Sequence, residues 1–428
     1  MMRLITLLLA VGLCATGAGA TLYSAAETRL GPFHRFRWAE DSTADGSHLA
    51  YAVDAGGPMQ LVVDGQPRAV YPEIRWLTFS ADGAHLAYTV KDGDGWQLML
   101  DGQSRGSFHD VFDLVFSPDG SRLAHKAAVE GEWHDGGKER RRRGERAKEG
   151  WRDADHFRVD IDGESGPEYD EVGDLVFSAD SRHVAYAARE GGSWRVVTDG
   201  QPGEPFTFVG SLAFQPGTDQ LAYVARSGSS WMVMAGSQLV PCGYAVGNLT
   251  YSRDGMRTGY VGSLDAFHQF AVVDGQAGPV YDAVTAPVFG GDGAHVAYEA
   301  RLGASWMVVE DGVAGPAYDA VGPPVFSLDG RRLAYATRQG TAYRLVTDGT
   351  PGVACDGIGV TAFSPDGSHL AYWAKRGSLW RVCVDDWVSD YYYAAAAGPA
   401  FLDDGSVECL AAEHGGGDLY RVVLKPRG

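Results

Sequence analysis

Apolar and polar positions alternate along this chain in short runs, each too short for a helix face and each ended by a turn pair, most often Asp-Gly. One stretch shows the grammar: Pro287-Val288-Phe289, a turn, His295-Val296-Ala297-Tyr298, a loop, Trp306-Met307-Val308-Val309, a turn at Asp311-Gly312, then Gly315-Pro316-Ala317-Tyr318. Four strands fit in one such unit. Asp-Gly between apolar runs predicts tight hairpins, because both residues tolerate positive φ.

The unit repeats. An Asp-Gly turn after an aromatic strand recurs at Asp82, Asp119, Asp254, Asp292, Asp329, Asp366 and Asp404, with degenerate forms at Asp45, Asp180 and Pro216. From Asp254 onward the steps are 38, 37, 37 and 38 residues, and the one long step, 61 residues from Asp119 to Asp180, holds an insertion of about 24. Ten units result. A four-stranded unit this short exposes both faces, so neighbours must stack to bury them, and radial stacking gives a β-propeller. Two aromatic series, Phe79 to Phe401 on the first strand and Trp96 to Tyr420 on the third, supply the packing.

The last unit stops one strand short. Gly31-Pro32 lies 14 residues before Asp45, as Gly278-Pro279 lies 14 before Asp292, so residues 31 to 37 are expected to complete the carboxy-terminal blade and remove two open edges. The expected fold is therefore an all-β propeller of ten four-stranded blades in one ring. Two five-bladed propellers are the alternative, against which stands the unbroken period near Tyr244 to Tyr251.

Phrases such as Phe116-Ser117-Pro118-Asp119-Gly120 and Phe363-Ser364-Pro365-Asp366-Gly367, the latter followed by Leu370-Ala371-Tyr372, resemble the WD40-like (PD40) repeat of TolB-type β-propellers. The resemblance covers nearly all of the chain after its leader. It implies a propeller but no single activity, since the family includes periplasmic scaffolds and the propeller halves of peptidases. The ring expected here is larger than TolB's and lacks its extra amino-terminal domain.

Met1-Met2-Arg3, the apolar run Leu4 to Cys14 and Ala18-Gly19-Ala20 have the order of a secretory signal over residues 1–20, leaving 21–428 as propeller and a periplasmic or secreted location. No later segment reads as transmembrane. Cys242, Cys355, Cys383 and Cys409 lie in different repeats without metal or redox spacing, and read as small apolar side chains unless two meet in space. A formal charge of -19 argues against nucleic acid as a partner.

Candidate chemistry is sparse. Gly102-Gln103-Ser104-Arg105-Gly106 matches a hydrolase elbow but follows a hairpin turn, where a nucleophile is not expected. His48, His85, His183, His295 and His369 recur at one repeat position, and no pair has zinc-ligand spacing. Asp113, Asp174, Asp282, Asp319 and Asp356 sit near inner-strand entrances, where acids that recur cap turns or face solvent. No catalytic residue, cofactor or metal is assigned, and an enzyme is the lesser expectation.

Lys91, Arg189, Arg226, Arg301, Arg338 and Lys375 each fall three residues beyond a second-strand tyrosine and so share one face. The insertion, at about 129–155 in the third blade, leaves from that same face with Arg140, Arg141, Arg142 and Arg143 at its centre. With the Asp-Gly turns opposite, the pattern predicts a basic face and an acidic one. These cations either steer a protein or an anionic envelope polymer onto a monomeric scaffold, or only solubilise a loop. A sugar-active enzyme or small-ligand sensor in the central mouth is the alternative.

Overall fold

The computed structural model describes residues 22–32, 36–42, 48–54, 57–64, 66–130, 133–134, 151–152, 156–236, 238–242, 244–389, 392, 394–402, 404–412 and 418–427. The signal stretch 1–20 and Arg140 to Arg143 lie outside them. Among the described residues there is no helix, and so none long and apolar enough to cross a membrane.

The chain forms ten blades of antiparallel strands in one ring, plus a two-stranded ribbon. Blade 2 is representative: Ile74–Phe79 innermost, then Leu86–Asp92, Gly95–Leu100 and Gln103–Phe108 outermost. Strand order within blades 1 to 9 follows the chain, as successive hairpins require. The insertion leaves blade 3 between Leu123–Glu130 and His156–Ile161, and its base is the ribbon of Trp133–His134 with Trp151–Arg152.

The two kinds of Asp-Gly turn differ. In the turn between third and outer strands both residues are left-handed, as at Asp101 (φ 51°) and Gly102 (φ 76°), the geometry of a two-residue hairpin. In the turn after the inner strand only the glycine is left-handed, as at Gly83 (φ 70°), whose amide bonds the Ser80 carbonyl at 2.9 Å. There the aspartate side chain accepts from within its own turn, as Asp82 does from Ser80 Oγ and the Ala84 amide.

Apolar residues sit where blades meet. Ala222, Val224 and Val233 of blade 5 share one buried cluster with Val246, Leu249, Tyr260 and Phe270 of blade 6, so the core runs through the chain's midpoint. This is one ring. Burying a side chain such as Val or Leu is worth roughly 1.5–3 kcal/mol, and each interface repeats that gain.

The ring closes as expected in kind but not in place. Blade 10 consists of Ala394–Phe401, Val407–Ala412 and Asp418–Arg427, and its outer strand is Leu22–Pro32, paired from Leu22 opposite Arg427 to Pro32 opposite Asp418. Of residues 31 to 37 only Gly31 and Pro32 belong to that strand, and Phe36–Ser42 already forms the inner strand of blade 1. The Gly-Pro pair misled because it ends an outer strand: Gln276–Ala277 also pairs before Gly278-Pro279. Buried Tyr23 joins the blade 9 and 10 core, and Arg421 of blade 10 feels the charge of Asp64 in blade 1.

Candidate functional site

Repetition separates structural chemistry from the rest: a polar group needed to hold a blade recurs in most blades, and one that does not recur has another reason to exist. On the Asp-Gly side nearly every polar group recurs. Ser80 Oγ donates to Asp82 (2.6 Å) and accepts the His85 amide (2.9 Å), while Asp101 takes the Leu86 amide (2.9 Å) and His85 Nδ1 (2.8 Å). The same latch joins His48 to Asp64, His183 to Asp199, His295 to Asp311 and His369 to Asp385. In three blades arginine replaces the histidine. Arg122, Arg257 and Arg332 bond Asp162, Asp274 and Asp348, reach carbonyls of the next blade, and lie over Phe177, Phe289 and Phe363. Hydrogen bonds donated to Asp311 and Asp199 hold His295 and His183 above their ordinary pKa, and serine partners hold Asp82 and Asp254 below theirs.

The loop face carries the six expected cations at equivalent, half-buried positions. Each is directly opposite its third-strand aromatic. Lys91, Arg189, Arg226, Arg301 and Lys375 lie 4.8–5.9 Å from the ring centroids of Trp96, Trp194, Trp231, Trp306 and Trp380, and Arg338 is paired across from Tyr343. Arg189 also pairs with Glu171 at 3.0 Å, and Arg226 donates to Thr207 Oγ1 at 3.3 Å. Among the described residues Arg301 and Arg338, in adjacent blades, have no carboxylate partner, and the buried Nε of each has no acceptor.

This face is not uniformly basic, which corrects the charge expectation. Asp170, Asp282, Asp319 and Asp356 lie on it, each accepting a glycine amide of the second hairpin turn at 2.6–2.9 Å, from Gly191, Gly303, Gly340 and Gly377. Left-handed glycines there leave an amide that needs an acceptor, so the acids are turn caps. Of the five acids singled out from sequence, Asp282, Asp319 and Asp356 thus have structural work.

Blade 3 breaks the repeat. Tyr51, Tyr88, Tyr186, Tyr223, Tyr260, Tyr298, Tyr335 and Tyr372 each stand across from a valine, methionine or cysteine, but blade 3 places His125 opposite Asp160. Both are nearly inaccessible, at 2% and 3% exposed. Arg158 clamps Asp160 with bonds of 2.7 and 3.2 Å, His125 Nε2 is 3.7 Å from it, and burial pushes His125 down to about 4. A crevice of about 600 Å³ beside His125 is lined by Leu98, Leu100, Ser104, Arg105 and Phe116. The next residue, Lys126, is also buried and pairs with Asp113 at 2.6 Å. Sequence reasoning passed over His125 and Lys126, although the loss of tyrosine from its repeat position was the visible signal.

Ser104 is an exposed residue of an outer strand, paired with Met99, and not on a strand-to-helix turn. His295, Glu310 and Asp311 bring ligand atoms within 4.8 Å of one another, a grouping not foreseen from spacing. Two of its members are the recurrent latch. Among the described residues Cys242, Cys355, Cys383 and Cys409 are unpaired thiols, and all but Cys355 are buried.

No protein-family model matches the chain, and no curated protein does. Among solved structures it is similar to one described as the eukaryotic initiation factor, at 12% identity and TM-score 0.49, covering 89% of this chain and 99% of that one. It is also similar to a Dos1 propeller, at 12% identity and TM-score 0.37, covering 73% and 92%. TolB from Acinetobacter baumannii matches at 15% identity and TM-score 0.27, covering 58% of this chain and 64% of that one.

Proposed function

We propose that the protein is an exported binding scaffold whose loop face engages an anionic partner, either an acidic protein surface or an envelope polymer. The observation that carries this reading is the pair Arg301 and Arg338, which have no carboxylate partner among the described residues and lie on adjacent blades. A guanidinium laid along an aromatic keeps its charge while losing freedom, so less entropy is lost when an anion docks. In sequence Arg140 to Arg143 fall in the insertion between the second and third strands of blade 3, and the proposal includes them as further contacts for the same partner.

Retention on an immobilised sulfated polysaccharide at rising salt tests the reading. The wild type is expected to elute later than Arg301→Glu/Arg338→Glu and later than a variant lacking residues 138 to 148, with the gap closing at high salt. Identical elution of all three would refute it. Residues 1–20 as a cleaved signal, and with them a periplasmic or secreted location, belong to the same proposal; amino-terminal sequencing of exported protein tests it.

A further inference from the structure

Inner strands are bulged around most of the ring, with pairing skips in blades 1 to 6, 9 and 10, but along one arc non-glycine bulge residues take an unusual conformation. In blades 2 to 6 the skips fall between Arg75 and Thr78, Phe112 and Val115, Val172 and Leu175, Gly210 and Ala213, and Gly247 and Thr250. Four bulge residues are left-handed: Trp76 (φ 52°), Asp113 (φ 53°), Ser211 (φ 54°) and Asn248 (φ 55°). Asp and Asn tolerate that conformation, whereas a bulky aromatic there is an outlier. Packing does not call for the tryptophan. Trp76 is 46% exposed, while its neighbour Leu77 fills the core at 8%.

A cavity of about 530 Å³ opens against this indole, lined by Thr78, Asp113, Lys126, Asp174 and Leu212 and spanning blades 2 to 5. Its polar groups are held in place. Lys126, only 7% exposed, meets Asp113 at 2.6 Å, and Asp174 accepts the Leu212 amide at 3.3 Å. At the position of Lys126 the neighbouring blades have Thr89, Ala187, Val224 and Val261, so a buried ammonium is not what the blade needs. Across the ring the comparable wall is Pro287, Val288, Pro324 and Val325.

We infer that this cavity binds a neutral saccharide, independently of the loop face. The exposed indole is a flat apolar platform for the C–H face of a pyranose, and the carboxylates of Asp113 and Asp174 accept from its hydroxyls. Lys126 donates to a ring or hydroxyl oxygen and disfavours a cationic occupant. Two carboxylates against one ammonium disfavour an anionic one. Both carboxylates already accept from fixed donors, which orients them for recognition; no bond cleavage is invoked.

Calorimetry and intrinsic fluorescence with maltotriose, cellotriose, chitotriose and laminaritriose test the inference. At least one is expected to bind and to shift tryptophan emission. Trp76→Gly removes the platform at a φ that glycine favours, so the ring should fold with an unchanged melting temperature while affinity falls tenfold or more. Asp174→Asn, nearly isosteric, should weaken binding several-fold. Arg301→Glu/Arg338→Glu should leave saccharide binding intact, separating this site from the anion-binding reading. Binding of none of the four, or equal binding by wild type and Trp76→Gly, overturns the inference.

Discussion

Replacing His125 and Asp160 together by the tyrosine and valine that blade 4 carries at Tyr186 and Val197 should alter the acid sensitivity of the whole ring. In the folded protein burial holds His125 neutral down to about pH 4, against an ordinary value of 6.5. Between those values the unfolded chain binds a proton that the folded one does not, so stability is full above pH 6.5 and falls as the pH drops. That gap between the unfolded and folded values corresponds to about 3 kcal/mol. Other titrations do not mimic the effect. His183 and His295 have raised folded-state pKa values, so their stabilisation is full at low pH and lost as the pH rises through those values, the opposite sign. Asp82 and Asp254 have lowered values, and their contribution is lost only as the pH falls below about 4. Both sets are shared by the two proteins and cancel in the difference. Urea unfolding at constant ionic strength, at pH 7.5 and 4.5, reads that difference. The double variant leaves Arg158 without the Asp160 carboxylate and should be no more stable than the wild type at pH 7.5. The difference between the two should shift in the variant's favour by about 2–3 kcal/mol at pH 4.5. Parallel stabilities at the two pH values would refute the account of His125.

Asp348→Ala removes the acceptor of both the Leu333 amide and Arg332 Nε, at a residue with φ 50°, and should cost about 1–3 kcal/mol by thermal unfolding; Asp348→Asn should cost less. Gly120→Ala puts a Cβ 3.0 Å from Asp82 Oδ1 and Ser80 Cβ of the preceding blade, at φ 73°, and should cost at least about 1 kcal/mol in the same assay. Deleting residues 22–32 uncovers the strand Asp418–Arg427 along its length. Light scattering should then show association through that edge, and a fully monomeric product would count against its role in closure.

Legibility of the sequence followed locality. Turn pairs and aromatic strands act within one unit, so the period, the blade count and even the two-residue hairpin at Asp101-Gly102 could be read directly. The loop cations were also legible, because each sits at a fixed offset from its own strand, opposite its own aromatic. That the recurring acids cap turns was legible as well, but which turn each one caps was not. Asp282 belongs to the segment before its blade yet caps Gly303, 21 residues later, and nothing in local spacing announces that bond.

By itself the sequence determined what recurs: four short strands per unit, faces that must stack, and a chain whose first strand is needed to finish its last blade. Only the tertiary structure decided which strand that is, Leu22–Pro32, and brought together side chains that no period connects. Trp76, Asp113, Asp174 and Leu212 come from four blades and meet only because the ring curves their inner strands around one axis. Local pattern fixes how each sheet forms, whereas the packing of sheet upon sheet fixes what shares a cavity, and that information is spread over the whole chain.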